Sequence, residues 1–356
     1  MKSILIGSCE GYSGKSAICI GLGTILKKKG LDVGYMKPFG NQFREVNGVL
    51  VDGDAKMIRT ALGLDDPPEL VTPVMLTHDF YYRALTDGDG MGADVERKIL
   101  DAYEKLSDGR DVMIIEGNED LAGGVMYDMS DIEMAKKMHA RILLVSRYQD
   151  VQEIDNILND QKMIGDPELL IGVVLNGVID QKGASDLVVP FLKDRGITVF
   201  GIIPKDPVLK SVSIGEIADA LGSEILVRGD RRNVLVDHFF VGAMEANTAL
   251  RYFRREKNFA LITGGGRADI QLAALEAGVK CIILTGNTYP SSAIFGVAGE
   301  RGVPIMVVSG DTMTTVEEME TIMGRSRILG KKKIVRIEEL LEAHLDIAAL
   351  ETAIGL

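Results

Sequence analysis

Gly14-Lys15-Ser16, preceded by Gly7, Cys9, Gly11 and Ser13, is a set of residues able to hold phosphate. Glycines such as Gly11 and Gly14 let a backbone approach an anion closely, so that loop and helix-terminal N–H groups can point at it. The Lys15 ammonium would reach β- and γ-phosphates, and the Ser16 hydroxyl would ligate Mg²⁺. The usual pattern is Gly-x4-Gly-Lys-Ser/Thr, and its first position here is Cys9. An ordinary strand-to-helix turn with a solvated lysine is the plainer alternative.

Three further residues could serve the same chemistry. Lys37 closes an apolar run and could hold a γ-phosphate or a substrate carboxylate, or be a surface lysine before a turn. Asp54 and Glu116 offer hard oxygens of the kind Mg²⁺ takes one or two at a time, beside phosphates and waters. Singly, each acid reads as a helix cap or a solvated group. The four histidines are scattered, with neither a triad nor a zinc spacing among them.

Positioning these residues requires a particular architecture. Apolar runs end at Gly7, at Lys37, at Glu116, at Ser146, near Asn176 and at Pro204, with amphipathic segments between them. Short runs without alternation predict an α/β fold with a mainly parallel sheet covered by helices on both faces. Ligands of such sheets bind beyond the strand C-termini, which puts all these positions on one edge. Residues 65–92 read as irregular, and a helix is expected over about 94–106. From about Leu209 the pattern restarts as a second, smaller α/β unit with a Gly264-Gly265-Gly266-Arg267 turn, either an anion contact or a tightened connection. The segment 334–356 reads as amphipathic helix, and Lys331-Lys332-Lys333 as a solvated linker.

Composition bounds the function classes. A length of 356 residues favours two domains. A net charge of −12 argues against nucleic acid or an anionic membrane as partner, and no apolar run reaches the ~18 residues of a membrane span. Three cysteines without metal-type spacing suit a reducing cytoplasm, and no signal peptide is expected.

The succession SCEGYSGKS, GYMKPFG, DGDA, IIEGNEDLAGG, VVLNGV and GIIP resembles dethiobiotin synthetase, a P-loop ligase of the family that includes cobyrinic acid amide synthases. Residues 1–210 are similar to the synthetase-like N-terminal domain of long-form phosphotransacetylase. Residues 211–325, with TGGGRADIQ, resemble the DRTGG domain that follows it there, and 326–356 would form a helical C-terminal tail. The resemblance implies ATP and Mg²⁺ as cofactors, with Lys15 and Ser16 on phosphate and metal. It implies that Lys37 lies near the γ-phosphate and substrate, that Asp54 and Glu116 are magnesium carboxylates, that Asn176 reads the adenine edge, and that the Gly201–Pro204 loop lies near the base.

Departures narrow that reading. Glu10 stands where dimer-sandwich ATPases of the septum-positioning type carry a signature lysine. Glu116-Gly117-Asn118-Glu119-Asp120 replaces Glu-Gly-Ala-Gly-Gly, Gly266 replaces the Asp before Arg in the second domain, and the phosphotransacetylase catalytic domain is expected to be absent. Two function classes stay open. One is an ATP-dependent ligase activating a small carboxylate, with Lys15 and Lys37 as catalytic residues. The other is a nucleotide-sensing regulatory protein tied to acetyl-CoA or acetyl-phosphate metabolism. A homodimer is expected in either case.

Overall fold

A computed structural model of the chain describes residues 1–46, 48–86, 90–324 and 331–356. It divides into two compact units, Met1–Lys205 with Lys331–Leu356, and Asp206–Gly330.

The first unit is built on six strands, β1 (Lys2–Ser8), β2 (Val33–Met36), β3 (Val112–Glu116), β4 (Arg141–Arg147), β5 (Leu170–Val178) and β6 (Val199–Pro204). Their order is β6-β5-β4-β1-β3-β2, and every neighbouring pair is parallel. The unbroken apolar runs follow from that placement: β2 and β3 are buried at every residue, as strands covered on both faces must be. β1 lies between β3 and β4, with Ile6 opposite Glu116 and Ser8 opposite Val145. The C-terminal ends of β3 and β4 therefore flank the loop that leaves β1.

Helices α1 (Lys15–Lys28), α2 (Gly53–Ala61), α3 (Asp131–Lys137) and α4 (Glu153–Ile164) belong to this unit. α1 is buried over eight consecutive-turn positions from Ile18 to Leu26, wider than a single stripe. The cause is a second cover, the helix Lys331–His344. A Cβ on Gly21 would lie 2.5 Å from Leu341 and 2.9 Å from Ile337, so any larger residue would have to displace those side chains. Ile337, Leu340 and Leu341 are buried, as are Leu350 and Ile354 of the last helix, Ile347–Ile354.

The expectation of a solvated basic linker is thus corrected. Lys333 is 1% exposed, and residues 331–356 are part of the first unit. A lysine stem can lie along apolar surface, and a run of three lysines conceals the one that turns inward. Residues 326–330 of that expected tail lie outside the described residues. Within 65–92 the structure has short helices Pro68–Val71 and His78–Thr86 where an irregular stretch was expected, and the next helix starts at Gly90; residues 87–89 lie outside the described residues.

The second unit holds β7 (Glu224–Val227), β8 (His238–Val241), β9 (Phe259–Gly264), β10 (Cys281–Thr285) and β11 (Ile305–Val307), in the order β7-β11-β10-β9-β8. β7 is an antiparallel edge strand, and the others run parallel. Helices α5 (Ala268–Ala277) and α6 (Ser292–Arg301) cover one face. There Phe240, Phe253 and Phe259 pack with ring centroids 5.2–5.3 Å apart. The other face buries Ile217, Val236, Ile262, Ile283, Met306 and Met319. At the glycine turn before α5, Arg267 binds Asp269 and the carbonyls of Gly242 and Met244, and the Gly265 N–H donates to Thr288 Oγ1.

Candidate functional site

The loop Cys9–Gly14 joins β1 to α1. Gly14 adopts φ 103°, in the left-handed region that favours glycine, and no side chain caps the helix it precedes. A Cβ there would strike Asn176 Nδ2 at 2.2 Å, and that amide donates to the Ser13 carbonyl at 2.7 Å. Asn176, at the end of β5, therefore braces the loop backbone. Pro204 closes β6 opposite Val178, two residues beyond Asn176. Gly11 has open space where a side chain would stand, whereas Ser13 is buried with a hydroxyl that has no partner.

Lys15 donates to Ser8 Oγ at 2.5 Å and to the Glu119 carbonyl at 3.2 Å. Burial lowers its pKa, against the opposing pull of Glu116 and Asp131. Ser16 Oγ donates to Glu116 Oε1 at 2.7 Å, and Tyr35 donates to Glu116 Oε2 at 2.6 Å. Lys37 is buried and bonded to Asp52 Oδ1 at 3.0 Å, with Asp54 Oδ2 at 3.8 Å. Burial alone would lower the Lys37 pKa, but Glu116, Asp52 and Asp54 together raise it, so this ammonium stays charged.

The structure thus gathers Lys15, Ser16, Lys37, Asp54 and Glu116 on the C-terminal edge of β1, β2 and β3. The donor set fits Mg²⁺ in its usual style, a hydroxyl and a carboxylate already in contact, with the remaining ligands left to phosphate oxygens and water. No cluster of three or more metal-binding His, Cys, Asp or Glu occurs among the described residues, so an all-protein metal cage is not what this edge provides.

Several contributors escaped the sequence reading. Asp52 caps α2 through the Ala55 N–H and accepts from the backbones of Asn41 and Gln42 as well as from Lys37. The acid before a helix pattern was a usable signal. Tyr35 carries none, since it reads as one more strand residue. Asp131, fully buried at the start of α3, accepts from the Asn118 backbone and side chain while its Oδ2 has no partner. Burial pushes its carboxyl up to about 7. Cys9, at the departing first position of the motif, lies against Asp160 of α4; burial raises the thiol and holds that carboxyl at about 6. Glu10, the other departure, accepts from the Arg147 N–H at 2.6 Å.

Comparison with known proteins gives the arrangement its relatives. An AAA-domain family, AAA_26, matches residues 2–213, and the DRTGG domain matches residues 216–322. Phosphate acetyltransferase of Pseudomonas putida is 24% identical over 375 residues, covering 100% of this chain and 52% of the enzyme. That of Synechocystis is 27% identical, covering 90% and 47%. The chain spans about half the length of these relatives. ATP-dependent dethiobiotin synthetase BioD of Methanococcus vannielii is 29% identical over 206 residues, 56% of this chain and 77% of the synthetase. With its phosphate loop, parallel sheet and more than half its length matched, the chain belongs to the AAA_26 family of P-loop domains, joined here to a DRTGG domain.

Proposed function

We propose that the first unit binds Mg-ATP and uses it to activate a small carboxylate. The observation that carries this reading is the contact between Ser16 Oγ and Glu116 Oε1, with Lys15 and Lys37 both close enough to feel the Glu116 charge. The loop N–H groups and Lys15 bind the phosphate chain and offset its charge. Ser16, Glu116 and Asp54 hold Mg²⁺, which when bound screens the phosphate oxygens. Asn176 and Pro204 flank the end of the loop where the base would lie.

Lys37 completes the chemistry. Kept charged by its three acidic neighbours, it orients the γ-phosphate and the incoming carboxylate. The carboxylate oxygen attacks the γ-phosphorus as the bond to ADP breaks, and a nitrogen nucleophile then displaces phosphate from the acyl phosphate, giving up a proton. Positioning and charge neutralisation are the main contributions a protein makes to such transfers. We place the protein in the cytoplasm, as a homodimer.

A second reading is a nucleotide sensor. Its support is the loop 117–124, where the Glu119 carbonyl engages Lys15 and the Glu119 carboxylate reaches Asn41 at 3.4 Å, leaving an acidic group where a carboxylate acceptor would approach. Incubation with Mg-ATP and a metabolite extract separates the two. Substrate-dependent release of ADP supports the ligase; tight binding with no turnover in any fraction supports the sensor and overturns the ligase.

A further inference from the structure

We propose that the second unit carries a binding site for a small phosphate-bearing anion, on the sheet edge opposite its glycine turn. A cavity of about 330 Å³ opens there, at the N-terminal ends of β10 and β11. That volume lies at the lower end of the ~300–1,000 Å³ typical of small-molecule pockets. Its lining brings together Arg231, Lys280 and Arg301, with Val279 and Pro304 as apolar wall, and includes no aspartate or glutamate among the described residues.

Three cations without an acid are unexpected in a chain whose 52 acidic residues outnumber 40 lysines and arginines. Cations at helix C-termini have a structural use, since they complement the carbonyl end of the dipole, and α5 and α6 both end here, at Gly278 and Gly302. That use accounts for Arg301, which donates to the Leu275 carbonyl at 3.0 Å. Arg231 and Lys280 lie near the same helix ends, but unlike Arg301 their side chains make no hydrogen bond or ion pair among the described residues. The contrast within one short segment is sharper still. Arg228 pairs with Asp230 and Arg232 with Asp219, while Arg231, between them, pairs with neither among the described residues. Its guanidinium lies over Gly302, where a Cβ would come within 3.0 Å of Nη2.

Uncompensated like charges gathered round a cavity repel one another, and an anion seated among them relieves that repulsion. An arginine fork beside a lysine suits phosphate oxygens, the arginine bonding in a plane and the lysine as a point charge. The ligand class is therefore a compact phosphorylated molecule with at least two negative charges. Its site shares no residue with the phosphate loop, so this assignment stands apart from the nucleotide reading of the first unit.

Calorimetric titration of the full-length chain with inorganic pyrophosphate, inorganic phosphate and magnesium-free ATP tests the proposal, each in wild type and in a Lys15→Ala background. Pyrophosphate binding should persist in Lys15→Ala and weaken with salt. The pair Arg231→Gln and Lys280→Gln should reduce affinity by about tenfold or more, since each charge-assisted bond contributes that order, with Arg231→Lys intermediate. Should the double variant fail to fold, Lys280→Glu alone gives the same readout at an unpaired side chain. Equal affinities in wild type and these variants overturn the proposal. Loss of all binding in Lys15→Ala, or no heat with any of the three anions at millimolar concentration, overturns it equally.

Discussion

The Tyr35 hydroxyl donates to Glu116 Oε2 at 2.6 Å while Ser16 Oγ occupies Oε1, so the strand tyrosine decides which carboxylate oxygen faces the phosphate loop. Tyr35→Phe leaves a buried acceptor without its donor, a loss of ~1–3 kcal/mol. The magnesium concentration needed for ATP binding should rise several-fold, with magnesium-free ATP affinity little changed. Titrations of ATP at stepped magnesium concentrations check this; superimposable profiles for wild type and variant would remove Tyr35 from the metal edge.

Mg-ATP at about 100 times its dissociation constant should stabilise the first unit by ~2.7 kcal/mol, a shift of about 5–10 °C in its melting transition. Lys15→Ala should erase the shift. Equal shifts in both proteins, read by differential scanning calorimetry, would remove the phosphate-binding role from this loop.

Asp54→Asn and Glu116→Gln keep size and polarity while removing charge that a hard cation prefers. Each should flatten the magnesium dependence of ATP binding. Should Asp54→Asn leave that dependence untouched, its carboxylate serves protein contacts such as the one with Lys37, 3.8 Å away, and not the metal.

Asp131 gives a pH signature of defined sign. Burial raises its carboxyl to about 7 in the folded chain, against an ordinary value of 3.8. Between those values the unfolded chain has released the proton and the folded chain has kept it. Stability from this group is therefore full below about pH 4, falls as pH rises, and levels off above about 7, a loss on the order of 4 kcal/mol. Asp131→Asn should be more stable than wild type at pH 8, with the gap closing toward pH 4. Parallel stability profiles in urea would show that the carboxyl ionises normally.

Leu341→Ala should lower the stability of the first unit by ~2–5 kcal/mol, because Leu341 is buried against Gly21 of the helix that follows the phosphate loop. Deleting residues 331–356 should unfold that unit. It strips six buried apolar side chains (Ile337, Leu340, Leu341, Leu345, Leu350 and Ile354), worth ~1.5–3 kcal/mol each, comparable to a whole domain's net stability of ~5–15 kcal/mol. A circular-dichroism melt unchanged by the deletion would contradict this.

What was legible in the sequence was local. Gly14-Lys15-Ser16 follows an apolar run and precedes a helix, so strand, loop and helix all announce themselves within about twenty residues, and the parallel sheet follows from the repetition of such runs. Pairings across long separations were not legible. Lys37 advertises a charge but not Asp52 as its partner, and Tyr35 hides a polar hydroxyl inside the buried run Val33–Met36. Arg231 looks like its neighbours Arg228 and Arg232 until the fold shows which of them have acids in reach. Lys333 misled outright, because sequence charge marks a residue as polar without saying how much of its stem is covered.

The first unit is discontinuous, and this sets an order of events during synthesis. A ribosome making the chain from its N-terminus completes the phosphate loop, the six strands and then the entire second unit before the helix Lys331–His344 exists to cover α1. Until then α1 exposes the side around Gly21, and the nascent first unit lacks part of its core. The second unit, contiguous between Asp206 and Gly330, can close first, so the nucleotide-binding half would be the last part of the chain to become native.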